Sequence, residues 1–478
     1  MGSSATIFLS IASMLYMIMV AIVYFTKEKV NTSENKIFSK LVLISLASLF
    51  SEIYITFIPI DMKIPLFVIS LKVYLILCVF WLSYFMEYVF IITRNNENKL
   101  LINYKQKYKK TYIRFWIITA FVITPYSIRL AKKVGAVDYP NDRRVNKKPM
   151  PRLGGIAVIA GFLVSAIYLI ITMRIENNID FITDGLGKKL LGFLFGAMVL
   201  GITCYIDDVK GISPLVKLAG QLIAAIIVVS CGVRIDNFTI PFKENSIMIN
   251  EVISYILTIG WIVGITNAIN LIDGLDGLSS GITLIACISM LIIFSLNESP
   301  LIAIILITAL AGAIVGFLPY NFNPAKTFIG DVGSNFMGYA ISIISILGVA
   351  KTYTAIVIIA PIIVLALPIF DTLWAIVRRI VKTKSIKGVF KADKGHLHHR
   401  LMAKGYTQRQ AVLILYGVTA TLGMIAIILL DSGIWKALSF ALLVIAIVAI
   451  GYKDIVHLRD NEEIENEKLK SNRTDKNI

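Results

Sequence analysis

The stretch Asn267-Ala-Ile-Asn-Leu-Ile-Asp-Gly-Leu-Asp-Gly-Leu-Ser-Ser-Gly281 joins two apolar runs, each long enough to cross a membrane. It carries two carboxylates (Asp273 and Asp276), two asparagines and three glycines. Ionisable groups at membrane depth are costly, so this cluster indicates a charged ligand or a cation rather than a plain polar turn. If residues 273–276 are helical, both carboxylates share one helix face.

The whole chain has the composition of a membrane protein. Its 478 residues are 57% hydrophobic and 16% charged, with a mean hydropathy of +0.78. Apolar runs of roughly 18 to 25 residues recur along it, which is the length of a membrane-spanning helix. We therefore predict an all-α polytopic membrane protein.

The formal net charge of +17 admits nucleic acid, an anionic membrane surface or an anionic substrate as a partner. The chain has no basic, aromatic-rich domain outside its apolar runs, so we expect no nucleic acid. Basic loops on one side of a bilayer explain the excess charge more simply.

The sequence divides into three parts. Residues 1–114 predict an accessory region of three spans (5–25, 38–58 and 65–92) and a basic connector. Residues 115–452 predict a membrane core of about ten to eleven helices, and residues 453–478 a charged tail. The core spans are predicted at 116–130 (broken by Pro125), 155–173, 190–206, 215–233, 252–269, 278–296, 301–318, 332–349, 355–370, 411–430 and 434–450.

The loops between these spans alternate in charge. Five of them share one side: 132–152, 207–214, 267–280, 319–331 and 371–410. The last contains ten Lys and Arg residues, whereas the opposite loop 234–251 has two basic and three acidic residues. The positive-inside rule places the five loops in the cytoplasm, and every unusual polar motif falls on that side.

The connector does not obey this rule. If residues 116–130 enter the membrane from outside, the basic segment 94–114 is external. Either the core overrides the rule or a short segment dips into the membrane without crossing it.

Two of the cytoplasmic motifs carry donors and carboxylates. The loop 135–155 supplies Asp138 and Arg152 among prolines and lysines, which suits phosphate binding, although an ordinary basic loop has the same composition. Asp207 and Asp208 end a span, with Lys217 on the next one. Adjacent carboxylates suit Mg²⁺, and on a helix they point about 100° apart, so we expect them to have different roles. The alternatives are a solvated helix end and a snorkelling lysine.

Two later motifs complete the set. Asp331 lies between glycines at the start of a span, where it suits a metal-phosphate site, helix capping or both. Residues 391–401 hold His396, His398 and His399 beside Arg400 and other cations. The cysteine ligands of a zinc site are absent, so phosphate or sugar contact fits better. Together the motifs indicate Mg²⁺-assisted chemistry on a diphosphate whose reaction partner lies in the bilayer.

At this point the chain resembles the polyprenyl-phosphate hexosamine-1-phosphate transferases, which start teichoic acid, O-antigen and related envelope polymers. The resemblance covers residues 115–452, with the motifs in order. The peptidoglycan-precursor transferases that move phospho-muramoyl-pentapeptide share most of them, but the His-x-His-His-Arg-Leu form is closer to the hexosamine branch. Asn146 stands where the family often has histidine, and residues 1–114 have no counterpart.

The resemblance implies attack of undecaprenyl phosphate on UDP-N-acetylglucosamine, with release of UMP, at the cytoplasmic face of a bacterial membrane. It implies catalytic roles for Asp207 and Asp208, and Mg²⁺ (Mn²⁺ as a substitute) on Asp331 and Asp207. A homodimer is also expected. The residues implied to bind substrate are Arg152, Lys217, Asn270, Asp273, Asp276, Asn321, His396, His398, His399 and Arg400.

Two other functions stay open. One is the phospho-muramoyl-pentapeptide transfer of the sister family. The other is ion-coupled transport, because transporters also place carboxylates in the membrane on broken helices. Here the carboxylates gather at span ends on one side and no inverted repeat is visible, which favours an enzyme at the membrane surface.

Overall fold

The computed structural model describes residues 39–40, 42–44, 47, 99–140, 148–175, 185–239, 246–297, 299–349, 355–385, 395–432 and 441. Three predicted features lie outside these residues: the N-terminal spans (apart from isolated positions at 39–47), the span at 434–450 and the charged tail. Asn146 also lies outside them. The proposed boundary at residue 114 falls inside a continuous helix, Lys99–Val134, and the division into domains stays a prediction.

The described residues form helices and two short hairpins. The hairpins pair β1 (Val137–Asp138) with β2 (Met150–Pro151) and β3 (Asn237–Thr239) with β4 (Ser246–Met248). The helices are α1 Lys99–Val134, α2 Gly155–Ile175, α3 Leu186–Lys210, α4 Pro214–Ser230, α5 Glu251–Ile272, α6 Leu278–Leu296, α7 Leu301–Asn321, α8 Gly330–Val349, α9 Ala355–Val364, α10 Ala366–Thr383, α11 Leu397–Ala403 and α12 Gln408–Ser432.

The predicted membrane architecture is confirmed. Six helices, α3, α5, α6, α7, α8 and most of α12, are long and apolar enough to cross a membrane. Two more, α4 and the first part of α2, are apolar but shorter. Helix α6 begins and ends at the residues predicted, because its apolar run stops abruptly at both ends.

Two local predictions are wrong, and one condition stated above is not met. Pro125 does not break its helix, since α1 is continuous; Thr124 Oγ1 donates to Ala120 O (2.7 Å), and packing against α2 and α7 supports the helix. Residues 273–276 are not helical, so Asp273 and Asp276 do not share a helix face.

The second wrong prediction concerns the segment after α9. The predicted span 355–370 is interrupted at Leu365, and the second helix, α10, continues to Thr383 into the predicted polar loop. Apolar and basic residues alternate there at helical spacing, which stabilises an amphipathic helix.

Helix α8 is the centre of the bundle, and nearly all of its residues are buried. It packs against α3, α5, α6 and α7. Helix α2 approaches α8 so closely that a β-carbon on Gly155 would overlap the backbone of Gly333. Glycine at this position permits the close approach. This contact brings the loop containing Arg152 over the N-terminus of α8.

Candidate active site

A carboxylate from another helix caps the N-terminus of α8. Asp208 Oδ1 accepts a hydrogen bond from the Asp331 N–H (3.0 Å), and Asp208 Oδ2 accepts one from the Val332 N–H (3.0 Å). The first N–H groups of a helix lack partners within the helix and favour negative charge. Asp208 therefore fixes the end of α3 against the start of α8, and its side chain is fully buried.

Arg152 joins three carboxylates above this cap. Its Nη2 lies 3.1 Å from Asp208 Oδ1 and 3.2 Å from Asp331 Oδ2, and its Nη1 lies 3.8 Å from Asp138 Oδ1. The loop that carries Arg152 is held by backbone bonds, in which the Phe328 N–H donates to Pro151 O (2.8 Å). The guanidinium thus offsets charge that would otherwise repel an anionic ligand.

Lys217 occupies the other side of Asp331. Its Nζ lies 2.6 Å from Asp331 Oδ1 and 3.2 Å from Asp207 Oδ2, and it donates to Asn270 Oδ1 (3.1 Å). Asn270 Nδ2 donates to Asp331 Oδ1 (2.6 Å) and to Ser334 Oγ (2.8 Å). Helices α3, α4, α5 and α8 therefore meet at one ammonium group.

The expectation that Asp207 and Asp208 diverge is confirmed geometrically. Asp207 faces Lys217 and accepts the Ile212 N–H (3.0 Å), whereas Asp208 faces α8. Asp207 is partly exposed and Asp208 is buried. Asp207 can reach a ligand, and Asp208 holds the backbone.

The two carboxylates of the stretch 267–281, Asp273 and Asp276, also have different partners. Asp273 Oδ1 accepts from Ser279 Oγ (2.6 Å). Burial raises the pKa of Asp273 to about 7, against the hydrogen bond from Ser279, which lowers it. Asp276 Oδ2 accepts from Asn323 Nδ2 (3.0 Å) and from the Ala325 N–H (3.1 Å), so it secures the loop after α7.

Asn321 is held in a similar way. Its Oδ1 accepts from Ser280 Oγ (2.5 Å), and its Nδ2 donates to Thr327 O (3.1 Å). The side chain is buried, with only part of the residue reaching the cavity described next. Asn321 thus connects α6 to the loop before α8.

A polar cavity of about 340 Å³ opens beside this cluster. Carboxylate, amide and imidazole groups dominate its wall, as expected for a hydrophilic ligand. Its lining residues are Asp138, Arg152, Asn270, Asp273, Gly274, Leu275, Asp276, Asn321, Phe328, Ile329, Gly330, Asp331, His399 and Gln408.

A mainly apolar groove of about 670 Å³ lies on the other side of the cluster. Asn270 lines both spaces, whereas Lys217 and Asp207 line the groove alone. The groove is formed by Asp207, Ile212, Pro214, Lys217, Leu218, Gly260, Trp261, Gly264, Ile265, Asn267, Ala268, Asn270, Leu271, Ile369, Thr372, Leu373, Ile376 and Arg379.

The histidine motif forms the start of α11. Asp371 of α10 holds it, because Asp371 Oδ2 lies 2.8 Å from His396 Nδ1 and Asp371 Oδ1 accepts the Leu397 N–H (2.9 Å). His396 is therefore buried against α10 and lies outside the cavity wall. His399 reaches the polar cavity, and Arg400 is exposed without lining either space.

His398 is packed inside the fold. Neither of its ring nitrogens has a hydrogen-bond partner among the described residues, and a β-carbon on Gly274 would overlap its ring. Burial, together with the neighbouring His399 and His396, lowers the pKa of His398 to about 3, so the ring is neutral. Because Gly274 and His398 are in contact, the stretch 267–281 packs against α11.

The sequence did not single out Asp371 or the buried amide Asn335, whereas it did place Gln221 on the helix of Lys217 and Asn267 at the start of the stretch 267–281. Asp371 follows an apolar run and precedes a basic one, the same signal that identified Asp207 and Asp208. The amides lie within predicted spans, where a polar side chain is unusual enough to be noticed.

The cluster fits a divalent cation bound with phosphate. Among the described residues, no group of three or more His, Cys, Asp or Glu side chains is arranged to hold a metal ion by itself. Mg²⁺, however, usually takes one or two carboxylates and completes its shell with water and phosphate oxygens. Asp207 and Asp331 both contact the Lys217 ammonium, so both already face one shared cation.

Comparison with known proteins gives the family. The model of glycosyl transferase family 4 matches residues 190–349. A Bacillus subtilis (strain 168) protein named as a probable undecaprenyl-phosphate N-acetylglucosaminyl 1-phosphate transferase is 42% identical over 338 residues, covering 70% of this chain and 88% of the relative. The chain belongs to glycosyl transferase family 4.

Two further relatives are similar to this chain over most of its length. The decaprenyl-phosphate N-acetylglucosaminephosphotransferase of Mycobacterium tuberculosis (strain H37Rv) is 35% identical over 324 residues, covering 63% of this chain and 77% of that protein. A phospho-N-acetylmuramoyl-pentapeptide-transferase of Staphylococcus epidermidis (strain ATCC 12228) is 29% identical over 329 residues, covering 65% and 96%. The predicted family is confirmed, and the hexosamine-phosphate relatives are the more similar of these.

Proposed function

We propose that this family 4 protein transfers N-acetylglucosamine 1-phosphate from UDP-N-acetylglucosamine to undecaprenyl phosphate and releases UMP. One observation carries the proposal: a polar cavity and an apolar groove meet at the cluster formed by Lys217, Asn270 and Asp331. A reaction between a sugar nucleotide and a lipid phosphate needs such a junction, because the two substrates come from water and from the bilayer.

The groove fits the lipid. Its wall is mostly apolar and ends at Lys217 and Asp207, so a polyprenyl chain lying in it would present its phosphate to the ammonium group. The polar cavity, with Asp273, Asn321 and His399 in its wall, fits the UDP-sugar. The names of the relatives support a polyprenyl phosphate as acceptor and N-acetylglucosamine phosphate as the group transferred.

In the proposed reaction, an oxygen of the lipid phosphate attacks the phosphorus that carries the sugar. The bond from that phosphorus to the oxygen of UMP breaks, and UMP leaves with the electron pair. Asp207 faces the lipid phosphate and accepts any proton that it carries, while Arg152 and Lys217 lie where charge develops. Asp208 positions Asp331 by accepting its backbone N–H.

We assign Mg²⁺, with Mn²⁺ as a substitute, to Asp331 and Asp207. When bound, the cation would neutralise charge on the diphosphate. The remaining predicted residues act around it: Asn270 orients Asp331, Asp276 and Asn321 shape the cavity wall, and His396 and His398 hold the segment that presents His399. Arg400 is available at the exposed rim.

The site would face the cytoplasm of a bacterial cell membrane. The motif-bearing loops carry the basic excess, and the loop between α4 and α5 on the opposite side does not. A product of this kind would serve as the lipid-linked start of an envelope polymer such as teichoic acid or O-antigen. A homodimer remains part of the proposal.

The test uses purified protein with undecaprenyl phosphate, Mg²⁺ and UDP-N-acetylglucosamine, and identifies the lipid product by mass spectrometry. We expect a lipid-linked diphosphate N-acetylglucosamine that requires all three components. The variant Asp331→Asn should lose both turnover and the response to added Mg²⁺. Transfer from UDP-MurNAc-pentapeptide alone would replace the proposal with that of the sister enzymes, and no transfer from any UDP-sugar would contradict it.

A further inference from the structure

A second polar cluster lies beneath the charged one, inside the helix bundle. Its members are the side-chain amides of Gln221 in α4, Asn267 in α5 and Asn335 in α8. Gln221 and Asn335 are almost completely buried (2% and 0% exposed) and line neither the cavity nor the groove. We call this cluster the amide triad.

The triad is a connected set of hydrogen bonds. Gln221 Nε2 donates to Asn335 Oδ1 (2.7 Å) and to Asn267 Oδ1 (3.3 Å). Asn267 Nδ2 donates to Gln221 Oε1 (2.7 Å) and to Val263 O (2.9 Å). Because each amide offers both donors and an acceptor, the three side chains satisfy one another across three helices.

The triad repeats the charged cluster one helical turn deeper. Gln221 follows Lys217 by four residues, and Asn335 follows Asp331 by four, so each pair lies on one helix face. The two layers are also bonded directly, since Asn335 Nδ2 donates to Asp331 O (2.8 Å).

On the third helix, α5, Asn267 precedes Asn270 by three residues. Each of these three helices therefore contributes one amide to the triad and one side chain to the charged cluster above it.

Amides are suited to fixing a register between helices. A slip of α4 along α8 would leave buried amide groups without partners, which is unfavourable inside an apolar bundle. Charged side chains at this depth would respond to pH and to bound ions, whereas amides keep the same hydrogen-bonding groups at every pH. The separation of Lys217 and Asp331 is set by the same register.

We propose that Gln221 and Asn335 are positioning residues that hold Lys217 and Asp331 in the geometry needed for phosphosugar transfer. The expected effect on kcat rests on the proposed function. The alignment of α4 with α8 does not depend on that function, and it can be measured without substrates.

Two variants test the rate. Gln221→Met removes the donor to the buried Asn335 Oδ1, while Asn335 Nδ2 keeps its bond to Asp331 O, so the substitution should lower both stability and kcat. The double variant Gln221→Met with Asn335→Leu removes both partners and should regain stability, because no buried amide of that pair is left unsatisfied. We expect kcat to stay about tenfold to hundredfold low in both variants, with the KM of each substrate within about twofold of wild type.

The matched control is Ser345→Ala. It removes the hydrogen bond from Trp261 Nε1 to Ser345 Oγ (3.0 Å), which also joins α5 to α8 but lies deeper than the triad. This control should keep full kcat. If kcat instead follows thermal stability across all the variants and recovers in the double variant, the amides are only structural and the proposal is wrong.

A chemical readout tests the register independently of turnover. Lys217, held between Asp331 and Asp207, should react slowly with acetic anhydride at fixed pH in the wild type. Labelling of Lys217, followed by mass spectrometry, should become about tenfold faster in both triad variants and stay unchanged in Ser345→Ala. Unchanged labelling in the triad variants would overturn the proposal even if the protein transfers no sugar phosphate, so its failure differs from failure of the proposed function.

Discussion

Lys217 Nζ, near the N-terminus of α4, lies 2.6 Å from Asp331 Oδ1, near the N-terminus of α8. The lysine lines the apolar groove and the aspartate lines the polar cavity. This ion pair therefore marks the place where the two substrate spaces meet. Its ammonium group can bind phosphate oxygens directly, and its carboxylate would do so through a cation.

Lys217→Met should lower kcat by about 100-fold, because the ammonium lies where phosphate charge would be stabilised. The side chain keeps most of its volume, so folding should be maintained. UMP release at saturating substrates measures the effect. Lys188→Met, at an exposed lysine near the start of α3, is the control and should behave as wild type. Equal activity of the two variants would contradict the role of Lys217.

Asp208→Asn should destabilise the protein as well as reduce activity. The carboxylate accepts two backbone N–H groups at the start of α8, and an amide has one oxygen to offer, so one N–H loses its partner. The expected cost is about 1–3 kcal/mol, measured as a lower melting temperature in detergent. Asp236→Asn changes a carboxylate that is 58% exposed and should leave the melting temperature unaltered. A stable Asp208→Asn protein would show that the cap is dispensable.

Asp273 should make stability depend on pH. Its folded-state pKa is raised to about 7, above the ordinary value of 3.8, so the folded protein binds the proton more tightly than the unfolded chain. This contribution is fully present below pH 3.8 and is lost as the pH rises through 7. Asp273→Asn carries no such titration, so its melting temperature relative to wild type should increase between pH 5 and pH 8. If the difference in melting temperature between Asp273→Asn and wild type stays constant over this range, the raised pKa of Asp273 is wrong. The control is Glu251→Gln, which changes an exposed carboxylate and should show no such trend.

Asp371→Asn should weaken donor binding at a distance. The substitution disturbs the bonds to His396 and to the Leu397 N–H, which orient the helix that presents His399 to the polar cavity. We expect the KM for the UDP-sugar to rise by about tenfold or more. Initial rates at varied donor concentration measure it. Thr407→Ala, which removes a cap from the following helix, should leave this KM unchanged. An unchanged KM in Asp371→Asn would separate His396 from donor binding.

The sequence predicted the membrane architecture and the set of polar motifs because both depend on local features. Apolar run length determines which helices can span, and alternating loop charge places the motifs on one side. The divergence of Asp207 and Asp208 also follows from helix geometry alone. These predictions did not need to know which helices are neighbours.

Contacts between distant segments could not be predicted in this way. Asp208 caps a helix that begins more than a hundred residues later, and Asp276 secures a loop on the far side of α7. Nothing in the sequence indicated that Asp276, in the wall of the polar cavity, holds the Asn323 amide, or that His398 packs against Gly274. The basic segment after Phe370 has the composition of a loop but forms one face of α10, so composition alone does not predict that this helix continues to Thr383.

The most direct test of the central claim follows the phosphorus next to the sugar. UDP-N-acetylglucosamine labelled with ³²P at that phosphate is incubated with the purified protein, Mg²⁺ and undecaprenyl phosphate, and the lipid and water phases are then counted. Transfer of sugar 1-phosphate predicts that the label enters the lipid phase while unlabelled UMP is released, and that Lys217→Met loses this transfer. Label that stays in the water phase as UDP while sugar enters the lipid would contradict the account, because it would mean that the bond to the sugar breaks instead.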